Sequence, residues 1–176
     1  MKKPAPEYSF MVQVLRLKPS GEVCQLNAPE PARRALCHRL DLLSLDSLTA
    51  TLTLTPEGSS QNVAARGVWS ARYAQRCVVT LEAVAVVRHN IPLHAVFMPR
   101  AAMPDDVSLE DDEDIEEIPA NGEMDVGEWV VQHLAAQLDP YPRRPDAVFE
   151  GVKGDDARQP FATLIDIRDK LPKGKQ

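Results

Sequence analysis

Few residues in this chain of 176 have both the type and the spacing for chemistry. Cys77 follows Arg76 at the mouth of an apolar stretch. A neighbouring guanidinium favours a thiolate, the nucleophilic form of cysteine; a small buried hydrophobe at a strand start is the plainer reading of the same residue. His89 and His94 stand five apart across Asn90-Ile91-Pro92-Leu93, with no Cys, Asp or Glu at ligand spacing. They read as exposed histidines, and no metal ligand is assigned. Cys24, Cys37 and Cys77 are odd in number and widely spaced, which fits neither a disulfide framework nor a zinc site. There is no Gly-rich phosphate loop, nucleophile elbow or His-Glu-x-x-His helix. The carboxylates cluster in one run instead of forming a spaced pair in an apolar setting. The expectation is a protein that is not an enzyme, with no catalytic residue, no cofactor and no small-molecule substrate.

Charge is the emphatic feature. Nine of the 26 acids lie between Asp105 and Glu117, with Glu110, Asp111, Asp112, Glu113 and Asp114 at the centre and no Lys or Arg among them. The other 17 acids face 20 Lys and Arg, so the remainder of the chain is mildly cationic. The run reads either as a solubilising loop or as a polyanion that holds a basic partner, an attraction that salt weakens. Arg33, Arg34 and Arg39 on one helix, and Arg66, Arg72, Arg76 and Arg88 on strands, are either an ordinary solvated face or phosphate contacts.

The elements that must position these residues follow from periodicity. With 44% hydrophobic residues the chain can bury a core. Tyr8 to Leu17 reads as a strand, closed by Pro19-Ser20-Gly21. Pro31 to Leu43 reads as a helix, with Ala32, Leu36, Leu40 and Leu43 inward and Arg33, Arg34, His38 and Arg39 outward. Leu48 to Thr55 alternates apolar residues with threonine, a half-buried strand. Val63 to Tyr73 alternates again. Cys77 to Arg88 reads as a long strand apolar on both faces, and Leu93 to Met98 as another, set off by Pro92. From Arg100 to Gly122 the apolar pattern fades into a solvated loop. Glu123 to Leu138 reads as a second helix, with Val126, Val130, Leu134 and Leu138 inward, Trp129 flanking, and Asp125 and Glu128 at capping-box spacing. Asp139-Pro140-Tyr141-Pro142 ends it.

The fold class expected is α+β: an antiparallel, strongly curved, partial-barrel β-sheet with two main helices and a long acidic loop. Residues 1–165 are expected to form one domain, with the acidic loop at 100–122 and a short apolar cluster at Phe161, Leu164 and Ile165. Residues 166–176 are expected to be a flexible basic tail. No transmembrane helix and no signal peptide are expected, and a reducing cytoplasm suits the cysteines.

Several segments, in this order, resemble the YceD family, the large ribosomal RNA subunit accumulation proteins. They are Arg34-Ala35-Leu36 through Arg39-Leu40-Asp41-Leu42-Leu43-Ser44-Leu45-Asp46-Ser47-Leu48, then Gln75-Arg76-Cys77-Val78-Val79-Thr80-Leu81-Glu82, then the acidic stretch. Met124-Asp125-Val126-Gly127-Glu128-Trp129-Val130-Val131-Gln132 follows, running into Leu138-Asp139-Pro140-Tyr141-Pro142-Arg143-Arg144-Pro145. The resemblance spans Tyr8 to about Phe161. Many members carry C-x-x-C where this chain has Ala74 and Cys77, so any metal or sulfur chemistry of that pair is not expected here. The resemblance implies a non-enzymatic role in accumulation or processing of large-subunit (23S) ribosomal RNA and in ribosome biogenesis. The implied partners are that RNA, a pre-ribosomal particle or a basic ribosomal protein. Arg76, Cys77, Tyr141, Pro142 and Arg143 are the candidate contact residues, and Asp125, Glu128 and Trp129 a structural motif. The competing expectation is a protein-only adaptor that holds a basic partner with the acidic loop and never touches RNA.

Overall fold

The computed structural model describes residues 6–58, 61–102 and 114–148. The core of the acidic run (Glu110, Asp111, Asp112 and Glu113), the cluster at Phe161, Leu164 and Ile165, and the tail 166–176 lie outside the described residues.

The first expected strand is shorter than its apolar pattern. Only Met11–Gln13 (β1) is extended, and Val14–Arg16 is a 3₁₀ turn. A strand that sequence parity does not reveal follows at Glu22–Asn27 (β2), where only Cys24 and Leu26 point inward. The first helix is Glu30–Leu40 (α1), three residues short of Leu43, because Asp41 turns left-handed at φ 50°. Leu42 is consequently buried and Leu43 exposed. Pro31 sits in the first helical turn, where its missing N–H costs nothing.

Ser44–Pro56 (β3) extends the threonine-rich strand, burying Leu48, Ala50, Leu52 and Leu54 and exposing Thr49, Thr51 and Thr53. Val63–Arg76 (β4) buries Val63, Ala65, Trp69, Ala71 and Tyr73, as its alternation requires. Two expected strands, Cys77–Arg88 and Leu93–Met98, are corrected. Cys77–Glu82 is a turn, and a single strand runs Ala83–Pro99 (β5) straight through Pro92. Proline lacks a ladder N–H and is tolerated where a strand is a sheet edge. Pro92 meets that condition, because the next strand, Ile115–Ile118 (β6), pairs β5 only from Val96 to Pro99. A bulge supports the same stretch: Trp69 pairs Ile91 and Ala71 pairs Arg88, so His89 and Asn90 oppose Ser70 alone. Asn90 takes φ 51° there and donates its N–H to Ser70 Oγ at 2.9 Å.

The expected loop at 100–122 therefore contains a strand, β6, whose Ile118 is buried. Glu123–Asp125 (β7), expected as helix, pairs with β1 instead, and the second helix is Val126–Ala136 (α2). The chain is α+β, with two helices and a five-stranded sheet in the order β2-β3-β4-β5-β6, beside the two-stranded β1-β7. Pairing is antiparallel except for β5–β6. Parallel neighbours need a crossover of about a dozen residues or more, and residues 100–114, acidic at their far end, supply it. The sheet's inner face and the apolar faces of both helices share one core, with Trp129 edge-on to Phe97 at 5.3 Å. No helix among the described residues is long and apolar enough to cross a membrane.

Asp125 caps α2, accepting the Glu128 N–H at 3.0 Å. The reciprocal half of the capping box is not made. Glu128 turns to Arg39, which bonds both its carboxylate oxygens at 2.9 and 2.7 Å and also reaches Glu7. Arg39, expected to face outward as part of a solvated face or as a phosphate contact, thus ties α1 to α2 and to the N-terminal segment. Asp125 also accepts from Phe10 N at 2.9 Å and Ser9 Oγ at 2.7 Å. Gly127 lets that segment approach: an added Cβ would stand 2.5 Å from Phe10 N. Alanine is the better helix former by about 1 kcal/mol, yet Gly127→Ala is expected to destabilise by about 1–3 kcal/mol through overpacking. Urea unfolding measures it. Asp125→Ala should cost at least the ~1 kcal/mol of a lost cap.

Candidate functional site

The β4–β5 connection builds one end of the site. Val78-Val79-Thr80-Leu81 has strong strand propensity but closes a tight turn. Cys77 N–H donates to Glu82 O and Leu81 N–H to Cys77 O, with Leu81 forced to φ 62°. The segment after α2 docks against this turn. Val78 N–H donates to Pro142 O at 2.9 Å, and Arg144 reaches Glu82 at 2.6 Å and Asp146 at 2.9 Å. Gln75 provides the main clasp. It is the buried polar side chain among the described residues, and its amide both donates to Asp139 O (2.8 Å) and accepts from Asp139 N (3.3 Å). The result is a cleft of about 510 Å³ bordered by Leu40, Asp41, Arg76, Cys77, Leu81, Leu138 and Pro142.

Cys77 is fully covered, yet lies outside the core cluster: the turn and the Pro142 segment seal it at the hairpin tip. Polar groups of the turn lower its pKa to about 6, though among the described residues the Thr80 N–H alone stands in hydrogen-bond geometry to Sγ and the Thr80 hydroxyl has no hydrogen-bond partner. The Thr80 side chain contributes most, followed by the Thr80 N–H, which points at Sγ from 3.4 Å, and the Arg144 and Val79 amides add to it against the opposing cost of burial. Burial pushes the Cys24 and Cys37 thiols the other way. The neighbouring Arg76 guanidinium, the cause expected from sequence, is not among the causes of the shift. Ala74 lies on the half-exposed side of β4, while Gln75 and Cys77 are buried, and its carbonyl accepts from Leu43 N.

The second part of the site is the sheet's outward face. The pairing puts Val23, Gln25 and Asn27 of β2 and Ser47, Thr49, Thr51, Thr53 and Thr55 of β3 on it. Arg66, Val68, Ser70, Arg72 and Arg76 of β4, and Ala83, Ala85, Val87, Pro92 and His94 of β5, continue it, with Glu117 of β6 at the far edge beside Met98 and Asp46 exposed in the β3 bulge opposite Arg72. All are exposed or half-exposed, and no outward position of β4 or β5 is a carboxylate. Arg66 stands opposite Thr53 and His94, and Arg72 opposite Ser47 and Val87. Among the described residues no ion pair engages Arg66, Arg72 or Arg76.

The contact residues expected from the resemblance are thus brought together. Arg76, Cys77 and Pro142 border the cleft, and Tyr141 and Arg143 stand exposed beside it. Asp125, Glu128 and Trp129 lie at the N-terminal end of α2, away from the cleft, and serve packing and capping. Arg88, expected with the strand arginines, faces inward and bonds the Gln137 carbonyl. Asp114 anchors the acidic stretch through its carbonyl, which accepts from Val96 N at 2.8 Å. Glu116 is half-buried, and burial raises its pKa. Sequence reasoning missed Gln75, Asp139 and Arg144. Gln75 had a signal: it is the one polar residue in the inward parity of an otherwise apolar strand end.

Removing the clasp should free the docked segment. Gln75→Ala leaves both Asp139 backbone groups unpaired, an expected loss of about 1–3 kcal/mol, with faster tryptic cleavage after Arg143. The thiolate gives a pH signature. Its folded pKa lies below the ordinary ~8.5 of a free thiol, so its stabilisation is full above that value and is lost as pH falls through about 6. The stability gap between the native chain and Cys77→Ala should narrow on acidification, and thiolate ultraviolet absorbance should titrate near 6 for one of three cysteines.

No family model, curated protein or solved structure matches this chain.

Proposed function

We propose that the chain is a non-enzymatic, cytoplasmic factor in the accumulation and processing of large-subunit (23S) ribosomal RNA, acting in ribosome biogenesis by holding pre-ribosomal RNA on the outward face of the sheet. One observation carries the reading: among the described residues Arg66, Arg72 and Arg76 line the outside of β4 without an ion pair, and no outward position of β4 or β5 is a carboxylate. Such a face attracts phosphates and releases counterions when it binds them. The resemblance to the YceD family supplies the identity of the RNA. Arg143 and Tyr141, exposed beside the hairpin tip, extend the contact surface. The bulges at Leu45/Ser47 and Trp69/Ala71 bend the strands that carry it, which is the origin we assign to the strongly curved, partial-barrel form expected of this sheet.

The test is binding of the full chain to 23S ribosomal RNA over a salt series. Affinity should fall linearly with log salt, by a slope of about 0.7 per phosphate contacted on single strands and about 0.9 on duplex. Replacing Arg66, Arg72 and Arg76 together by Glu should weaken binding at least tenfold and flatten the slope. Absence of salt-sensitive binding, or an unaffected triple variant, overturns the reading. Capture of basic ribosomal proteins by a chain that binds no RNA would establish the protein-only adaptor instead.

A further inference from the structure

We propose that the outward sheet face recognises duplex RNA through its backbone rather than single-stranded RNA through its bases; this rests on the RNA-binding reading above. The identities of the outward residues decide it. Sheets that bind single strands stack successive unpaired bases on aromatic side chains. Here no outward position of β2–β5 is Phe, Tyr or Trp, and the rings there are the imidazoles of His94 and, at the bulge, His89, while Trp69, Tyr73 and Phe97 are all buried on the opposite face. Tyr141, exposed beside the tip, offers one ring, not a platform.

What the face offers instead is guanidinium and hydroxyl in register. Thr49, Thr51, Thr53 and Thr55 form one row on β3, and Thr53 stands directly across from Arg66 as Ser47 does from Arg72. A hydroxyl both donates and accepts, which matches the 2′-hydroxyls and phosphate oxygens displayed across the wide, shallow minor groove of A-form RNA. Length points the same way. Arg66 to Arg76 spans about 30 Å at ~3.3 Å per residue. A duplex is stiff over that distance. A single strand must be straightened to follow the row, and this face, without a Phe, Tyr or Trp platform, returns little stacking to offset the lost conformational freedom.

The experiment compares the full chain's affinity for three probes at one salt concentration: an RNA duplex of about 16 base pairs, the length read by domains that recognise A-form shape, an unstructured oligouridine of equal length, and the DNA duplex of the same sequence. Duplex RNA should bind at least tenfold more tightly than oligouridine, with little dependence on its sequence. Duplex DNA should bind more weakly than duplex RNA, and Thr51→Val with Thr53→Val, which keeps strand propensity, should remove that preference. Equal or tighter binding of oligouridine overturns the inference, as does equal binding of the two duplexes. Failure to bind any RNA, 23S included, would instead sink the RNA-binding reading on which it stands.

Discussion

The Asp125 carboxylate is the contact on which the arrangement depends. It accepts three hydrogen bonds, from Glu128 N, Phe10 N and Ser9 Oγ, and two of these come from residues about 115 positions away in the chain. One side chain thereby starts α2 and seats the N-terminal segment over its first turn. That start fixes which α2 residues meet the sheet, so Val126, Trp129, Val130 and Leu134 are all buried. It also fixes where α2 ends, and so delivers Asp139 to Gln75. An exposed ion pair contributes little by itself; the Arg39 bridge to Glu7 and Glu128 adds geometry around Asp125 more than energy.

From that knot to the hairpin tip the fold is a sequence of consequences. The Gln75–Asp139 clasp holds the segment 139–144 on the turn, Pro142 O accepts from Val78, and the turn then places amides around Cys77 Sγ. The clasp is polar within an apolar setting, where breaking it costs more than forming it gains. The hairpin tip and the post-helix segment are therefore one unit, although 64 positions separate their clasping residues.

Much of the core was legible in the sequence. The alternation from Leu48 to Thr55 and from Val63 to Tyr73 sorts inward from outward residues correctly, because each strand has one wet face. Elements failed where that pattern was weak or misleading. β2 has two inward apolar residues, too few to show a period. Val78-Val79-Thr80-Leu81 has the composition of a strand, and only its hydrogen bonds bend it into a turn. Pro92 breaks strands in general but not on an edge. In the site, Arg76, Cys77 and Pro142 were legible as a group through the resemblance. The arginine-bearing face was not, since register alone decides which of the arginines share it: Arg66, Arg72 and Arg76 do, and Arg88, opposite buried Ala71, faces inward.

The late pairing of β6 has one further consequence. β5 is 17 residues long, and β6 covers only its last four. A flat strand of that length with an unpaired edge would be a template for adding another chain's strand. This one is interrupted where the exposure is greatest. Pro92 withholds an N–H, and the His89–Asn90 bulge breaks the spacing of the remaining donors. The features that obscure β5 in the sequence are those that protect the molecule from self-association along its edge.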